Sequence, residues 1–279
     1  MSTPGTPQEQ IERLAREFPG TAGVAAHNLA TGEAVTVNAE EQFPTASMIK
    51  IQVLFELIRQ DARGQAQLSE RITLRPEDKS RGSGLLLDFD PGATLTLRDV
   101  AVMMMAISDN TATNMLIDRL GIPAVNQACR DSGMCGTELR NKIDWERIGD
   151  VAENLAVGTP ADFCRFFTLL RQGELVPPAH VDRMLSIMRI QKYIEPLRKH
   201  LPFDPYGDEF DHPQEVWVAS KTGGMKGVRC EGGLVHTPRG EWAICVMSKG
   251  FGDAVAVGDN RGSKFISEAS RLIYEAWGM

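Results

Sequence analysis

Hydrophobic residues recur along the chain with two different spacings, and the spacing changes four times. A repeat of three to four residues predicts a first helix over residues 8–18, which Pro19 and Gly20 end. Alternating apolar and polar positions then predict two strands, over residues 23–29 and 33–37. The chain is therefore expected to open with a helix and a hairpin.

The middle of the chain is patterned as helices. A period of 3.6 predicts a helix over residues 48–59 with Ser47 at its N-terminus. Thr159 and Pro160 are typical of another helix start. Further helices are predicted over residues 97–108, 111–120, 123–132, 160–171 and 181–189. Strand patterning returns over residues 216–220, 227–237 and 241–248, a last helix follows over 262–277, and the proline-rich segment 200–213 receives no assignment.

Strands near both ends of the chain with helices between them predict an α+β fold of two lobes. An antiparallel sheet assembled from both termini and flanked by helices would occupy residues 1–54 and 206–279. An inserted all-α lobe would occupy residues 55–205. Ligands often bind in the cleft between two such lobes, so a site is expected there.

The charge balance limits the kinds of partner. The 279 residues include 30 Lys+Arg and 37 Asp+Glu, which gives a formal net charge of −7. A nucleic-acid partner is not expected, because the sequence has no basic stripe that could neutralise phosphates. The apolar run at residues 100–107 is far shorter than the roughly 20 residues that cross a bilayer. We therefore expect a small-molecule substrate and no membrane partner, and the sequence leaves the oligomeric state open.

Cysteine and histidine usage predicts neither disulfides nor a metal. The five cysteines are an odd number without a C-x-x-C pair, which favours reduced core thiols. The five histidines have no metal-ligand spacing, so no metal and no cofactor is expected. The first residues lack a basic and apolar leader, which predicts a cytoplasmic location, or a periplasmic or secreted one if a leader precedes the sequence.

Three short motifs that suit nucleophilic catalysis occur in order along the chain. They are Ser47-Met48-Ile49-Lys50, Ser108-Asp109-Asn110 and Lys221-Thr222-Gly223. The S-x-x-K spacing is expected by chance about once in a chain of this length, and each of the other two in about one chain in twenty. The ordered set is therefore a strong signal.

The spacing of Ser47 and Lys50 suits a nucleophile and its base. A serine hydroxyl is a weak nucleophile that needs a base nearby, and residues three apart on a helix share a face. The helix N-terminus and the second cation, Lys221, both disfavour a charged amine, so Lys50 is predicted to lose its proton near neutral pH. The alternative is structural, since Ser47 and the Ser108 motif are also good helix caps.

The motifs resemble those of the class A β-lactamase and penicillin-binding-protein superfamily. The resemblance covers about residues 20–279 and includes the segments 43–47, 82–84 and 95–114. It implies a β-lactamase-like serine hydrolase that transfers an acyl group through an acyl-enzyme on Ser47. The substrate would be a β-lactam or another small amide or ester, with a carboxylate.

The resemblance also implies a role for each matching residue. Ser47 would be the nucleophile, Lys50 its base partner, Ser108 the group that passes a proton to the leaving group, and Lys221 the cation beside Ser108. Asn110 would hold Lys50 or a substrate amide. Thr222 and Arg229 would bind the substrate carboxylate. The N–H groups of Ser47 and Gly224 would form the oxyanion hole.

One part of the family pattern is not reproduced. Class A β-lactamases have a deacylating Glu, followed four residues later by Asn, on a loop ahead of the helix that here begins at Pro160. Four carboxylates are candidates for a substitute base: Asp144, Glu146, Asp150 and Glu153. Fast hydrolysis of penicillins is therefore not expected. The alternatives are a cytoplasmic amidase, peptidase or esterase, and a penicillin-binding or sensor protein that acylates without turnover.

Overall fold

The computed structural model describes residues 5–193, 196–204, 215–252 and 260–279. Within these segments the helices are α1 (Pro7–Glu17), α2 (Lys50–Ala62), α3 (Leu97–Ala106), α4 (Asn110–Leu120), α5 (Ile122–Asp131), α6 (Trp145–Ile148), α7 (Pro160–Arg171), α8 (Pro178–Arg189) and α9 (Arg261–Trp277). The strands are β1 (Thr21–Asn28), β2 (Ala34–Val37), β3 (Phe43–Pro44), β4 (Arg71–Thr73), β5 (Thr94–Thr96), β6 (Glu138–Leu139), β7 (Ala156–Gly158), β8 (Trp217–Met225), β9 (Val228–Thr237) and β10 (Gly240–Lys249).

The main sheet has five antiparallel strands in the order β2-β1-β10-β9-β8. Strand β1 from the N-terminal part pairs with β10 from the C-terminal part, so the sheet is assembled from both ends of the chain. The predicted α+β fold is confirmed. Strand β8 lies at the edge of the sheet, where one row of backbone N–H and C=O groups faces away from the other strands.

Helices cover both faces of this sheet. On one face α1 and α9 pack over Trp242, and α9 contributes Phe265, Ile266 and Ile273 from its apolar stripe. On the other face α7 and the start of α2 form a larger core around Phe55 and the other aromatic residues of that cluster. The sheet is therefore a middle layer, and its central strands are buried on both sides.

The segment between α2 and β8 is mainly helical, but it also carries two small sheets. Strand β4 pairs with β5, and the order β3-β7-β6 joins the start of the chain to this region. Strands of two or three residues are too short for a hydrophobic period to reveal them. The predicted boundary at residue 54 falls inside α2. Within the predicted loop at 200–213, residues 205–213 lie outside the described part, as does the predicted boundary at 206.

Element boundaries agree with prediction at α7 and differ from it around Ser47 and Ser108. Helix α7 spans the predicted residues, and its cap Thr159 accepts a hydrogen bond from Asp162 N at 3.1 Å. The predicted cap at Ser47 is wrong, because a 3₁₀ turn precedes α2. The helix predicted to residue 108 ends at Ala106, since Ser108 has a φ of 57° and leaves the helical region. In the described part of the chain, no helix combines the length and apolar character needed to cross a bilayer.

Candidate active site

Ser47 lies in a tight turn between β3 and α2. The turn is a 3₁₀ helix, Ala46–Ile49, and it begins with Ala46 at a φ of 43°, a left-handed conformation that is unusual for a residue with a Cβ atom. In a 3₁₀ helix the side chains three residues apart eclipse one another. Lys50 directly follows the turn, so its side chain lies on the same face as that of Ser47.

The edge strand β8 passes directly against this turn. A Cβ atom on Gly223 would lie 2.3 Å from Thr45 O and 2.9 Å from Met48 N, both of which are backbone atoms. The thiol of Cys230, on β9, donates to Thr45 O at 2.9 Å. Glycine at position 223 therefore allows the strand to lie in contact with the turn that carries Ser47.

Lys50 is fully buried, and its amine lies within hydrogen-bond distance of three oxygen atoms. Its Nζ lies 2.7 Å from Ser108 O, 3.1 Å from Ser108 Oγ and 2.9 Å from Asn110 Oδ1. As a neutral amine it has two N–H groups and one lone pair. The two shorter contacts can use the N–H groups, which leaves the lone pair for a serine proton.

The surroundings of Lys50 favour that neutral form. Burial lowers the pKa of Lys50 well below its ordinary value of 10.5, and the charge of Lys221 lowers it further. The Asp109 carboxylate acts in the opposite direction. The direction agrees with the sequence-based hypothesis, but the largest cause is desolvation rather than the helix N-terminus named there.

The loop between α3 and α4 presents Ser108 to Lys50. Asp109 is fully buried and accepts hydrogen bonds from Leu85 N at 2.6 Å and Leu86 N at 2.9 Å, so it fastens the neighbouring loop instead of facing the cleft. Its carboxylate also accepts from Ala112 N at 2.8 Å, which caps α4. The predicted capping role of this motif is confirmed for Asp109.

Ser108 is expected to show its backbone strain in a pair of substitutions. Its φ of 57° is one that glycine adopts without cost. We expect Ser108→Gly to be about 1 kcal/mol more stable than Ser108→Ala in urea unfolding, although both lack the hydroxyl. Equal stability of the two would contradict the strain.

Lys221 is the second fully buried lysine and lies on β8. Its Nζ donates to Thr222 O at 2.9 Å. The pKa of Lys221 is lowered to about 7, mainly by burial, with a smaller lowering from Arg229, while Glu231 acts in the opposite direction. Because Lys221 is also the charge that lowers the pKa of Lys50, the two amines lie close enough to repel each other when both are protonated.

The remaining predicted site residues follow the edge strand. Gly224 lines a cleft of about 780 Å³ together with Trp145 and Asp150. Arg229 lies opposite Gly224 in the β8–β9 register, and its Cβ faces α9, since a Cβ on Gly262 would approach it to 2.5 Å. Of the predicted site residues, Lys50, Ser108 and Asn110 are joined to one another by hydrogen bonds.

Two further residues near the site were not found from the sequence. The side-chain amide of Asn114 accepts from Ile143 N at 2.8 Å and donates to Ile143 O at 3.1 Å. Ile143 is buried, so an aliphatic side chain is fixed beside α4, on the loop where the family pattern has its carboxylate. Asn114 lies one helical turn after Asn110, and this spacing is the signal that could have identified it.

The four candidate carboxylates are used differently from one another. Asp144 caps α6 and accepts from Glu146 N at 3.0 Å. The Glu146 side chain is exposed and lines a separate cavity of about 1100 Å³. Asp150 lines the cleft that contains Gly224, and Glu153 is partly exposed. The three acceptors of Lys50 include none of these four carboxylates.

Comparison with known proteins gives consistent matches over nearly the whole chain. The family described as "Beta-lactamase enzyme family" matches residues 6–277. A β-lactamase from Streptomyces fradiae is 28% identical over 96% of this chain and 85% of its own length. A β-lactamase structure from Sphaerobacter thermophilus has a TM-score of 0.85 and 28% identity, and covers 97% of this chain and 96% of its own. A variant of PBP-A, solved as an acyl-enzyme complex with penicillin G, has a TM-score of 0.84 and 32% identity, with coverage of 97% and 95%.

Proposed function

Since the chain belongs to the beta-lactamase enzyme family and is a class A β-lactamase-like serine hydrolase, we propose that it acylates Ser47 with β-lactams. The observation that carries this proposal is the buried Lys50 amine, which follows Ser47 by three residues and is held by Ser108 and Asn110. Other small amides or esters with a carboxylate fit the same chemistry.

In the proposed acylation step these groups act in sequence. Neutral Lys50 takes the hydroxyl proton of Ser47, and Ser47 Oγ bonds to the carbonyl carbon of the β-lactam. The N–H groups of Ser47 and Gly224 stabilise the oxyanion that forms. Ser108 Oγ, 3.1 Å from Lys50 Nζ, passes the proton to the ring nitrogen as the carbon–nitrogen bond breaks. The product is an ester on Ser47 with the opened ring attached.

The edge strand supplies groups that suit a substrate carboxylate. Charge-assisted hydrogen bonds to a carboxylate are roughly twice as strong as neutral ones. The Thr222 hydroxyl and the Arg229 guanidinium would provide such bonds, and the cationic form of Lys221 would add a positive field. A substrate without a carboxylate is therefore expected to bind more weakly.

Slow hydrolysis of the acyl-enzyme is the second part of the proposal. Ile143 is a buried aliphatic residue held by Asn114 on the loop beside α4, and Asp144 is engaged as a helix cap. An aliphatic side chain cannot accept a proton from the water that would attack the ester. We therefore infer a protein that binds penicillin covalently and releases it slowly.

Intact-protein mass spectrometry with benzylpenicillin tests this function. The expected result is an adduct with the mass of the whole β-lactam, localised to Ser47 by peptide mapping, that persists for many minutes. Rapid turnover of a chromogenic cephalosporin without a lasting adduct would contradict slow release. Hydrolysis of aryl esters with no β-lactam adduct would instead favour an esterase or amidase.

The pH dependence of acylation is expected to be bell-shaped. Lys50 acts as the neutral amine, so the rate should rise as pH passes its lowered pKa. Lys221 acts as the cation, so the rate should fall as pH passes about 7. The measurement is the second-order acylation rate with benzylpenicillin from about pH 4 to about pH 10. A rate that keeps rising across the alkaline range would argue against a cationic role for Lys221.

In Lys221→Arg the falling limb should disappear, because a guanidinium stays protonated in the alkaline range.

A cytoplasmic location remains part of the proposal. All five cysteines are free thiols, and four of them are buried. Free thiols are compatible with a reducing compartment. Cell fractionation of the natural source would test this, and recovery in the periplasm or the medium would contradict it.

A further inference from the structure

A carboxylate outside the proposed reaction steps is completely buried behind the edge strand. Glu231 lies on β9 in register with Thr222, and its side chain has no exposed surface. Its two carboxylate oxygens accept separate hydrogen bonds, from Ser220 Oγ at 2.7 Å and from Leu197 N at 3.0 Å. The charge of Glu231 raises the pKa of Lys221, so this carboxylate acts on the lysine as a negative charge.

Glu231 and Lys221 extend from opposite faces of the sheet. Lys221 is in register with Gly232, and successive residues of a strand point to alternate sides. Gly232 and Gly223 face the turn that carries Ser47, since the nearest atom to a Cβ would be Met48 Sδ at Gly232 and Thr45 O at Gly223. Glu231 therefore lies on the face of the sheet that is turned away from Ser47. It is next to Ser220, the residue before Lys221.

A buried arginine shares this carboxylate. Arg198 donates to Val218 O at 2.7 Å and to Gln191 O at 3.2 Å, so it is fixed against β8. Burial lowers the pKa of Arg198 to about 10, and the charge of Glu231 opposes that shift. Glu231 thus lies between two buried cations, one on each face of the sheet.

We propose that Glu231 is a positioning residue that keeps Lys221 protonated through the sheet, with Arg198 as a competitor for its negative charge. Among the described residues, the charged and titratable groups around Lys221 are Lys50 from α2 and, from β9, Arg229, Cys230 and Glu231. A fully buried ammonium is costly without a nearby negative charge. Glu231 is the carboxylate in that set.

The consequence for function is that Lys221 stays cationic to a higher pH with Glu231 than it would without it. If Lys221 must be cationic to attract a substrate carboxylate, the position of the falling limb depends on Glu231. This consequence rests on the proposed function, whereas the protonation of Lys221 does not. The two can be measured separately in the full-length protein.

Titration of Lys221 by NMR, with carbon-13 at lysine Cε, tests the proposal without any substrate. The Lys221 signal is assigned from its loss in Lys221→Arg. In Glu231→Gln the midpoint is expected to fall by about one pH unit or more, as for one charge lost at short range. In Arg198→Met it is expected to rise. The matched control is Ser220→Ala, which removes one hydrogen bond to Glu231 without changing any charge and should leave the midpoint unchanged.

The outcomes separate this inference from the proposed function. An unchanged Lys221 midpoint in Glu231→Gln overturns the inference, even if that variant is less stable. If Glu231→Gln does not fold, Arg198→Met decides alone, and a midpoint that fails to rise overturns it. Shifted midpoints in a protein that takes no acyl group from benzylpenicillin support the inference and contradict the proposed function. Where acylation occurs, its falling limb should move with the midpoint.

Discussion

Replacing Lys50 with methionine is expected to slow acylation of Ser47 by about 100- to 10,000-fold and yet to leave the fold at least as stable. The proposed acylation step uses this amine as the proton acceptor for Ser47, so its loss would remove general-base assistance. Methionine fills a similar volume without a charge. Ser108 O keeps a partner, because Ser83 Oγ donates to it at 2.7 Å.

The stability gain in Lys50→Met should depend on pH, and its sign follows from the lowered pKa. In the folded wild type Lys50 binds its proton less readily than in the unfolded chain, where its pKa is near 10.5. The unfolded state therefore binds more protons, and the free energy of unfolding of the wild type rises with pH. The variant lacks this dependence, so its advantage should grow as the pH is lowered.

Two measurements on the same samples check this prediction. The time course of benzylpenicillin adduct formation gives the acylation rate, and urea unfolding at several pH values gives the free energy. Lys249→Met is the matched control, because that lysine is partly exposed and paired with Glu41 at 2.9 Å. The control should acylate like the wild type. Wild-type acylation in Lys50→Met would mean that another group is the base.

Local spacing accounts for what the sequence could predict at this site. Ser47 and Lys50 are three residues apart, so any helical turn brings their side chains to one face. Asp109 precedes a helical pattern, and its capping bond follows from residue type and position. The alternation of β1, β9 and β10 predicted the sheet for the same reason.

Long-range contacts account for what the sequence could not predict. Strand β8 was predicted to end at Ser220 because glycine weakens a strand pattern, yet β9 pairs with it as far as Met225. The hydrogen bonds of Asn114 to Ile143 join residues 29 positions apart. No local sequence pattern predicts that the Glu231 carboxylate lies beside Ser220.

Two buried lysines with lowered pKa values are the feature that such contacts create. The charge of Lys221 lowers the pKa of Lys50, and Glu231 adds a negative charge that raises the pKa of Lys221. Paired groups whose pKa values are pushed apart can serve as base and as cation at one pH. The arrangement requires that β8 stay against the turn that carries Ser47.

Gly223→Ala is expected to break that contact and to reduce the acylation rate by about 100-fold or more. The new Cβ would lie 2.3 Å from Thr45 O, 2.6 Å from Cys230 Sγ and 2.9 Å from Met48 N. Two of these atoms belong to the backbone and cannot rotate away, so β8 must move off the turn. A displacement of about 1 Å in a reacting group is enough for a loss of this size.

A second glycine of the same sheet serves as the control for Gly223→Ala. In Gly240→Ala the new Cβ would meet Trp277 O at 3.6 Å, an ordinary contact, so acylation and thermal unfolding should match the wild type. Gly223→Ala should instead lose acylation rate together with several degrees of melting temperature, since overpacking costs about 1–3 kcal/mol. If Gly223→Ala acylates at the wild-type rate, β8 does not need to contact the turn that carries Ser47 for Ser47 to react.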